Sequence, residues 1–287
     1  MLGLHHVTAF AGDPRACRGF YTSVLGLRLV KVTVNFDDPS VHHLYFGDER
    51  GSPGTLLTHF PHPRALAGVH GTPAIGTTLL RVRDPLAWGE RLAERGVSTR
   101  CEEVLGAERV RFEDPDGMRY ALVGGGEGEG IGCVEGVEIR VTDAGAASSF
   151  LRGVLGFEDD GASGARTRLR VGGGAGSSVE LVESAALEGN FGAGVVHHVA
   201  WRVADVDAQA EVVDRLRAAR IATTEVKDRD YFKSVYARVP GGVIFEFATD
   251  GPGFDIDEPP ESLGGRLCLP VMYEGRRAAI EAALPTL

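Results

Sequence analysis

A short motif recurs in fixed register and restricts the fold more than any other feature. Residues 5–13 read HHVTAFAGD and residues 197–205 read HHVAWRVAD. In each, an aspartate follows the second histidine by seven residues: Asp13 after His6, Asp205 after His198. Two weaker echoes, TTLLRVRD at 77–84 and GVEIRVTD at 136–143, also run seven residues into an aspartate, but begin with Thr77 and Gly136. Internal similarity of this kind marks a chain assembled from repeated supersecondary units.

Each echo reads as a strand feeding a helix. Val7, Ala9 and Ala11 alternate with Thr8 and Phe10, the pattern of a half-buried strand. Asp13 is an expected N-cap with Pro14 at the first helical position. Cys17, Phe20, Tyr21 and Val24 then share one helical face, and Gly26 closes the helix. Asp84-Pro85 repeats the start. Asp143 leads to Phe150, Val154 and a closing Gly156, and Asp205 leads to Val212, Val213 and Leu216. About three short strands follow each helix, at roughly 28–34, 41–46 and 54–59 in the first unit. The reading is an α+β chain of four β-α-β-β-β units, at 1–60, 74–124, 132–184 and 195–249.

These units group along the chain as an N-terminal pair, 1–124, and a C-terminal pair, 132–249. A glycine-rich linker at 125–131 lies within the run GGGEGEG and joins them. A tail, 250–287, ends in a helical pattern from about Glu274 to Leu284. The run GGGAGSS at 172–178 reads as a hairpin turn. Neither Lys-Ser/Thr nor a helix pattern follows it, so it is not a phosphate loop.

Forty glycines in 287 residues is about twice the usual 7%, as expected of many short strands joined by tight turns. A net charge of −10 argues against nucleic acid as a partner. No apolar run is long enough to span a bilayer and no signal peptide is visible, so the expected location is the cytoplasm. The four cysteines are far apart, form no CxxC, and are expected to be free core residues.

Four such units, with histidine opening a strand, resemble the vicinal oxygen chelate superfamily, which includes glyoxalase I, bleomycin-resistance proteins and extradiol dioxygenases. The resemblance implies paired units forming two curved, cup-like mixed sheets with helices outside. The segments HHVTAFAGDP, LGLRLVKVTVNFDDP, HLYFGDERGSPGTLLTHFP, VVHHVAWRV and DRDYFKSVYARVPGGVIFEFATD are similar to one branch, the hydroquinone-cleaving dioxygenases. These are non-haem iron enzymes that open para-dihydroxylated rings.

Neighbouring strand residues point to opposite faces, so only one histidine of each pair is expected to face a given cavity. The shared register makes His6 and His198 equivalent, and the resemblance makes them metal ligands. Val243–Phe247 is an apolar strand interrupted by Glu246, and a buried charge is costly unless paired or bound to metal. Two histidines and a carboxylate form the facial triad of Fe(II) oxygenases. Mn(II) accepts the same ligands. Ligands drawn from units one and four require those units to share a sheet, leaving units two and three to pair without metal. The resemblance further implies supporting roles for His5, His197, Thr8, Arg229 and Tyr236. His43 is a candidate to point into the same cup. Phe36, Trp201, Phe232 and Phe247 are candidates to line a pocket, though strand aromatics are core by default.

The expected activity is ring cleavage of a small aromatic substrate, a substituted hydroquinone, by O2. Self-association into a homo-oligomer is compatible with such a chain. One rival is a glyoxalase-like isomerase or lyase, which would act without oxygen. Another is a non-catalytic resistance-type protein, which would bind an aromatic ligand without metal.

Overall fold

The computed structural model describes residues 1–174 and 176–287. The turn expected at 172–178 joins two antiparallel strands, and its Ala175 lies outside the described residues. Unit one comprises β1 (Leu4–Ala11), α1 (Pro14–Gly19), β2 (Arg28–Val34), β3 (His42–Gly47) and β4 (Leu56–Pro61). Unit two comprises β5 (Ala74–Arg81), α2 (Pro85–Glu94), β6 (Thr99–Val104), β7 (Ala107–Glu113) and β8 (Arg119–Val123). Unit three comprises β9 (Cys133–Val141), α3 (Ala144–Leu155), β10 (Glu158–Ser163), β11 (Arg166–Arg170) and β12 (Ser178–Glu183). Unit four comprises β13 (Val196–Val203), α4 (Val206–Ala218), β14 (Lys227–Asp228), β15 (Lys233–Arg238) and β16 (Ile244–Thr249).

All four helices start where the repeat places them. Asp13, Asp84, Asp143 and Asp205 are N-caps whose carboxylates accept from backbone N–H groups of the first turn. The first helix departs from expectation past Gly19. There it loosens into a π-helical turn over Phe20–Val24, and Gly26 follows with φ +73°. Gly156 caps α3 at φ 73°.

The strands form two curled mixed sheets of eight. One runs β14-β15-β16-β13-β1-β4-β3-β2 and the other β10-β11-β12-β9-β5-β8-β7-β6. Unit one therefore pairs with unit four, and unit two with unit three, as the ligand argument required. Each sheet is joined at its centre by antiparallel first strands, β1 with β13 and β5 with β9.

Both central pairings contain two register shifts. Leu4 faces Trp201 while His6 faces Ala200, leaving His5 as an extra residue; Thr8 faces His198 while Ala9 faces Val196, leaving His197 extra. The shifts in the second sheet leave Gly76 and Glu135 extra at the matching positions. Bulges of this kind re-aim side chains and break strict alternation.

Trp201 and Phe247 belong to the main core and not to a pocket. Trp201 packs 5.1 Å from Phe157 and 5.5 Å from Phe245. Their neighbours Ala200, Glu246 and Ala248 face the other way, into the cup. Among the cysteines, Cys17 and Cys268 are buried as expected, but Cys101 is exposed and Cys133 is half-buried.

The tail packs along edge strand β2 and covers it, as open edges require. Cys268 N donates to Val32 O at 2.9 Å. The buried Lys31 ammonium donates to Asp257 and Glu258, both at 2.5 Å. A six-residue 3-10 stretch precedes α5 (Arg277–Ala283), and from it Tyr273 donates its hydroxyl to Phe36 O at 2.7 Å. No helix is long and apolar enough to cross a membrane among the described residues.

Candidate metal centre

His6 lies on β1, His198 on β13 and Glu246 on β16, three neighbouring strands of the first sheet. The register sets Ala200 opposite Glu246 and Thr8 opposite His198, so all three side chains meet at one place. His6 Nε2 and His198 Nε2 are 3.3 Å apart. Glu246 Oε2 is 2.8 Å from His198 Nε2 and 3.3 Å from His6 Nε2. All three residues are buried.

These atoms fit a metal ion better than they fit one another. Glu246 Oε2 is fully buried and has no hydrogen-bond donor. The far nitrogens of both imidazoles are occupied: His6 Nδ1 meets His5 Nδ1 at 2.9 Å, and His198 Nδ1 meets His197 Nδ1 at 2.7 Å. A metal-binding histidine typically donates its second N–H in this way, which fixes the tautomer that turns a lone pair to the ion. Burial alone would raise the Glu246 carboxyl, but His6 and His198 outweigh it and hold the group well below its ordinary range. Burial, only partly offset by Glu246, lowers His198. A carboxylate held anionic beside two imidazoles is a set of ligands for a divalent cation.

The cluster opens on a cavity of about 270 Å³. Tyr236, opposite Glu246 on β15, lines it together with Arg229, His43, Phe36 and Phe232. Arg229 Nε donates to Tyr236 Oη at 3.4 Å, and its far nitrogen reaches Asp37 at 3.4 Å. Burial and Glu246 raise the Tyr236 phenol, although Arg229 opposes them. Burial lowers Arg229, but Tyr236 and Asp37 raise it overall. His43 is fixed between Thr58 Oγ1 at 2.9 Å and Tyr45 Oη at 3.0 Å, and burial keeps it well below its ordinary pKa.

The expectation that one histidine of each pair faces the cavity holds for the first pair only. His197 lines the same cavity as His198. His5 instead lines a separate rear hollow of about 190 Å³. Burial first, and the neighbouring histidine second, push His5 and His197 each down to about 3. Thr8 does not line the cavity, and its hydroxyl is bonded to Thr58 at 2.8 Å.

Sequence reasoning missed Ser234, whose hydroxyl donates to Glu246 Oε1 in a short hydrogen bond. The signal was its position two residues before Tyr236, on the same strand face. It also missed Asp37, Phe10 and Phe60, which lie in unit one and reach the cavity only through the sheet pairing.

A sequence profile described as the glyoxalase/bleomycin resistance protein/dioxygenase superfamily matches residues 3–122 and 134–247. The chain belongs to that superfamily. It is 39% identical to MhqO of Bacillus subtilis, a protein named as a ring-cleaving dioxygenase, over 99% of this chain and 96% of that one. It is 32% identical to a chlorohydroquinone/hydroquinone 1,2-dioxygenase of Sphingobium indicum, over 95% and 92% of the two chains. A crystal structure of a protein named as a dioxygenase from Bacillus subtilis superposes with a TM-score of 0.96 at 38% identity, covering 100% of this chain and 97% of that one. This superfamily member thus carries a buried His-His-Glu cluster suited to a metal ion and is similar along its whole length to proteins named for ring cleavage.

Proposed function

We propose that this protein is a ring-cleaving dioxygenase that uses Fe(II), held by His6, His198 and Glu246, to open a hydroquinone-type ring with O2. The observation that carries the reading is the convergence of three buried ligand atoms on one side of a cavity large enough for a single aromatic ring. Two histidines and one carboxylate leave coordination positions free on the cavity side, the arrangement of non-haem iron oxygenases. Mn(II) fits the same atoms. The relative named for hydroquinone 1,2-dioxygenation supports the substrate class.

Bound there, the ion supplies the redox step that a closed-shell phenol and O2 lack by themselves. The chain's own groups handle charge and protons. Arg229 keeps its positive charge inside the cavity and stabilises an ionised ring hydroxyl. Tyr236 stays protonated under burial and faces the same space, so its Oη is the proposed proton donor to the opening ring. His5 and His197 act as positioning residues, holding the ligand rings through Nδ1. Ser234 orients Glu246 from behind. Thr8, tied to Thr58 and through it to His43, fixes the cavity wall.

The test is oxygen uptake by protein loaded anaerobically with Fe(II), across hydroquinones and catechols. Stoichiometric uptake with hydroquinones is expected. One metal per chain with no uptake across the panel would overturn the proposal. Turnover without oxygen, with Ni(II) or Zn(II), would favour isomerase or lyase chemistry instead.

A further inference from the structure

The cup does not end at the metal ligands. On β15 and β16 the register pairs Tyr236 with Glu246 and then Arg238 with Ile244, with no shift between. Arg238 and Ile244 therefore continue the same face, about 7 Å further along the strands. They line a groove of about 390 Å³ together with Ile75, Leu187 and Phe191. His197 lines both this groove and the metal cavity.

The partition between the two spaces is aromatic. Phe10, Phe191 and His197 meet with ring centroids 5.2–5.6 Å apart. Phe191 belongs to the connector between units three and four and is 52% exposed, and Leu187 on the same connector is 54% exposed. Apolar side chains held in solvent beside a groove mark a binding surface when they are contiguous.

The lining of the cavity also points there. Phe10, Phe60 and His197 line it together with Arg229 and Tyr236, and His197 is shared with the groove. A ring held beside Arg229 and the His-His-Glu cluster can therefore turn an apolar substituent toward His197.

We propose that this groove takes an apolar substituent on the ring, so that the preferred substrates are hydroquinones bearing a flexible alkyl or isoprenoid chain. The substrate class rests on the ring-cleavage reading above; occupancy of the groove does not. The chain passes where Phe10, His197 and Phe191 meet, and its burial beside Ile244 and Leu187 supplies the gain in binding.

The test compares methylhydroquinone with pentylhydroquinone, by oxygen uptake with Fe(II)-loaded protein and by anaerobic calorimetric titration. The wild type is expected to favour pentylhydroquinone by at least about tenfold in kcat/KM and in affinity, because each buried methylene adds to binding. Ile244→Trp, which fills the groove, and Leu187→Glu, which charges it at a half-exposed position, should bring that ratio to parity. Equal cleavage of both compounds by the wild type would overturn the groove while leaving ring cleavage intact. If neither is cleaved, ring cleavage fails and titration judges the groove alone. Tighter pentylhydroquinone binding lost in both variants upholds it, and equal affinities overturn it. Concentration-dependent dimerisation abolished by Leu187→Glu, with no chain-length preference, would assign the groove to a second copy and also overturn the proposal.

Discussion

Where the first sheet places His6, His198 and Glu246, the second places Thr77, Gly136 and Glu180. The register makes the last pair equivalent: Glu246 lies opposite Ala200, and Glu180 opposite Glu138. Residues 200 and 138 each stand two positions after His198 and Gly136. Both cups thus bury a carboxylate on the closing strand of a unit and differ in what answers its charge. Arg109, Arg166 and Arg168 all bind Glu180, while Arg111 and Arg166 bind Glu138. Arg111 also donates to Thr77 at 2.9 Å. Glu246 has Ser234 on one oxygen and no donor on the other.

The bulges follow the same division. His5 and His197 meet His6 and His198 through Nδ1, whereas their counterparts Gly76 and Glu135 stand beside Thr77 and Gly136. Glu135 is instead bound by Arg81 and Arg170. At Gly136 a Cβ would lie 2.1 Å from Ser178 O, so a histidine there has no room. A buried acid must be balanced. One sheet balances it with guanidinium groups and becomes structural; the other leaves it open for a cation.

The largest contrast is expected from Glu246→Ala. It should cost more than about 100-fold in metal affinity, beyond the 10–100-fold typical of outer-shell changes, while leaving the thermal melt of the metal-free chain near that of wild type. Metal content after dialysis and calorimetric titration check this. Retained stoichiometric metal would remove Glu246 from the ligand set.

Glu180→Ala should do the reverse. Three arginines lose their shared partner, and breaking a buried pair costs about 3–5 kcal/mol, read by denaturant titration. Metal binding by the folded variant should persist. A variant as stable as wild type would show that the arginine network is not what holds the second sheet.

The smallest effect is graded and set by pH. Burial raises Glu138 and Glu180, but their arginines outweigh it and hold both below the ordinary value of 4.5. A carboxyl depressed on folding contributes stability that is complete above its unfolded pKa and is lost as pH falls through the folded one. Acid should therefore weaken the wild type below about pH 4.5, and Glu180→Ala should flatten that slope. An unchanged acid limb in the variant would contradict the sign.

The His-His-Glu cluster was readable because each member broke a local rule. His6 and His198 shared a register to an N-cap aspartate, and Glu246 interrupted an apolar strand. Glu180 escaped notice because Ser178, Val179, Glu180 and Leu181 alternate as an ordinary half-exposed strand does. Nothing within five residues reveals that Arg109, from another unit, neutralises it. Strict alternation likewise could not separate His197, which lines the cavity, from His5, which does not, since strand pairing is a property of two strands and not of one.

By itself the sequence determined the four units, their helix starts, the equivalence of His6 and His198, and the oddity of Glu246, because capping, periodicity and desolvation act over short stretches of chain. Only the tertiary structure decided that arginines from other strands neutralise Glu180, that His197 lines the cavity while His5 does not, and that the tail seals β2. Those outcomes depend on contacts between residues as far as 243 positions apart, where register and packing, not local preference, set each side chain's direction.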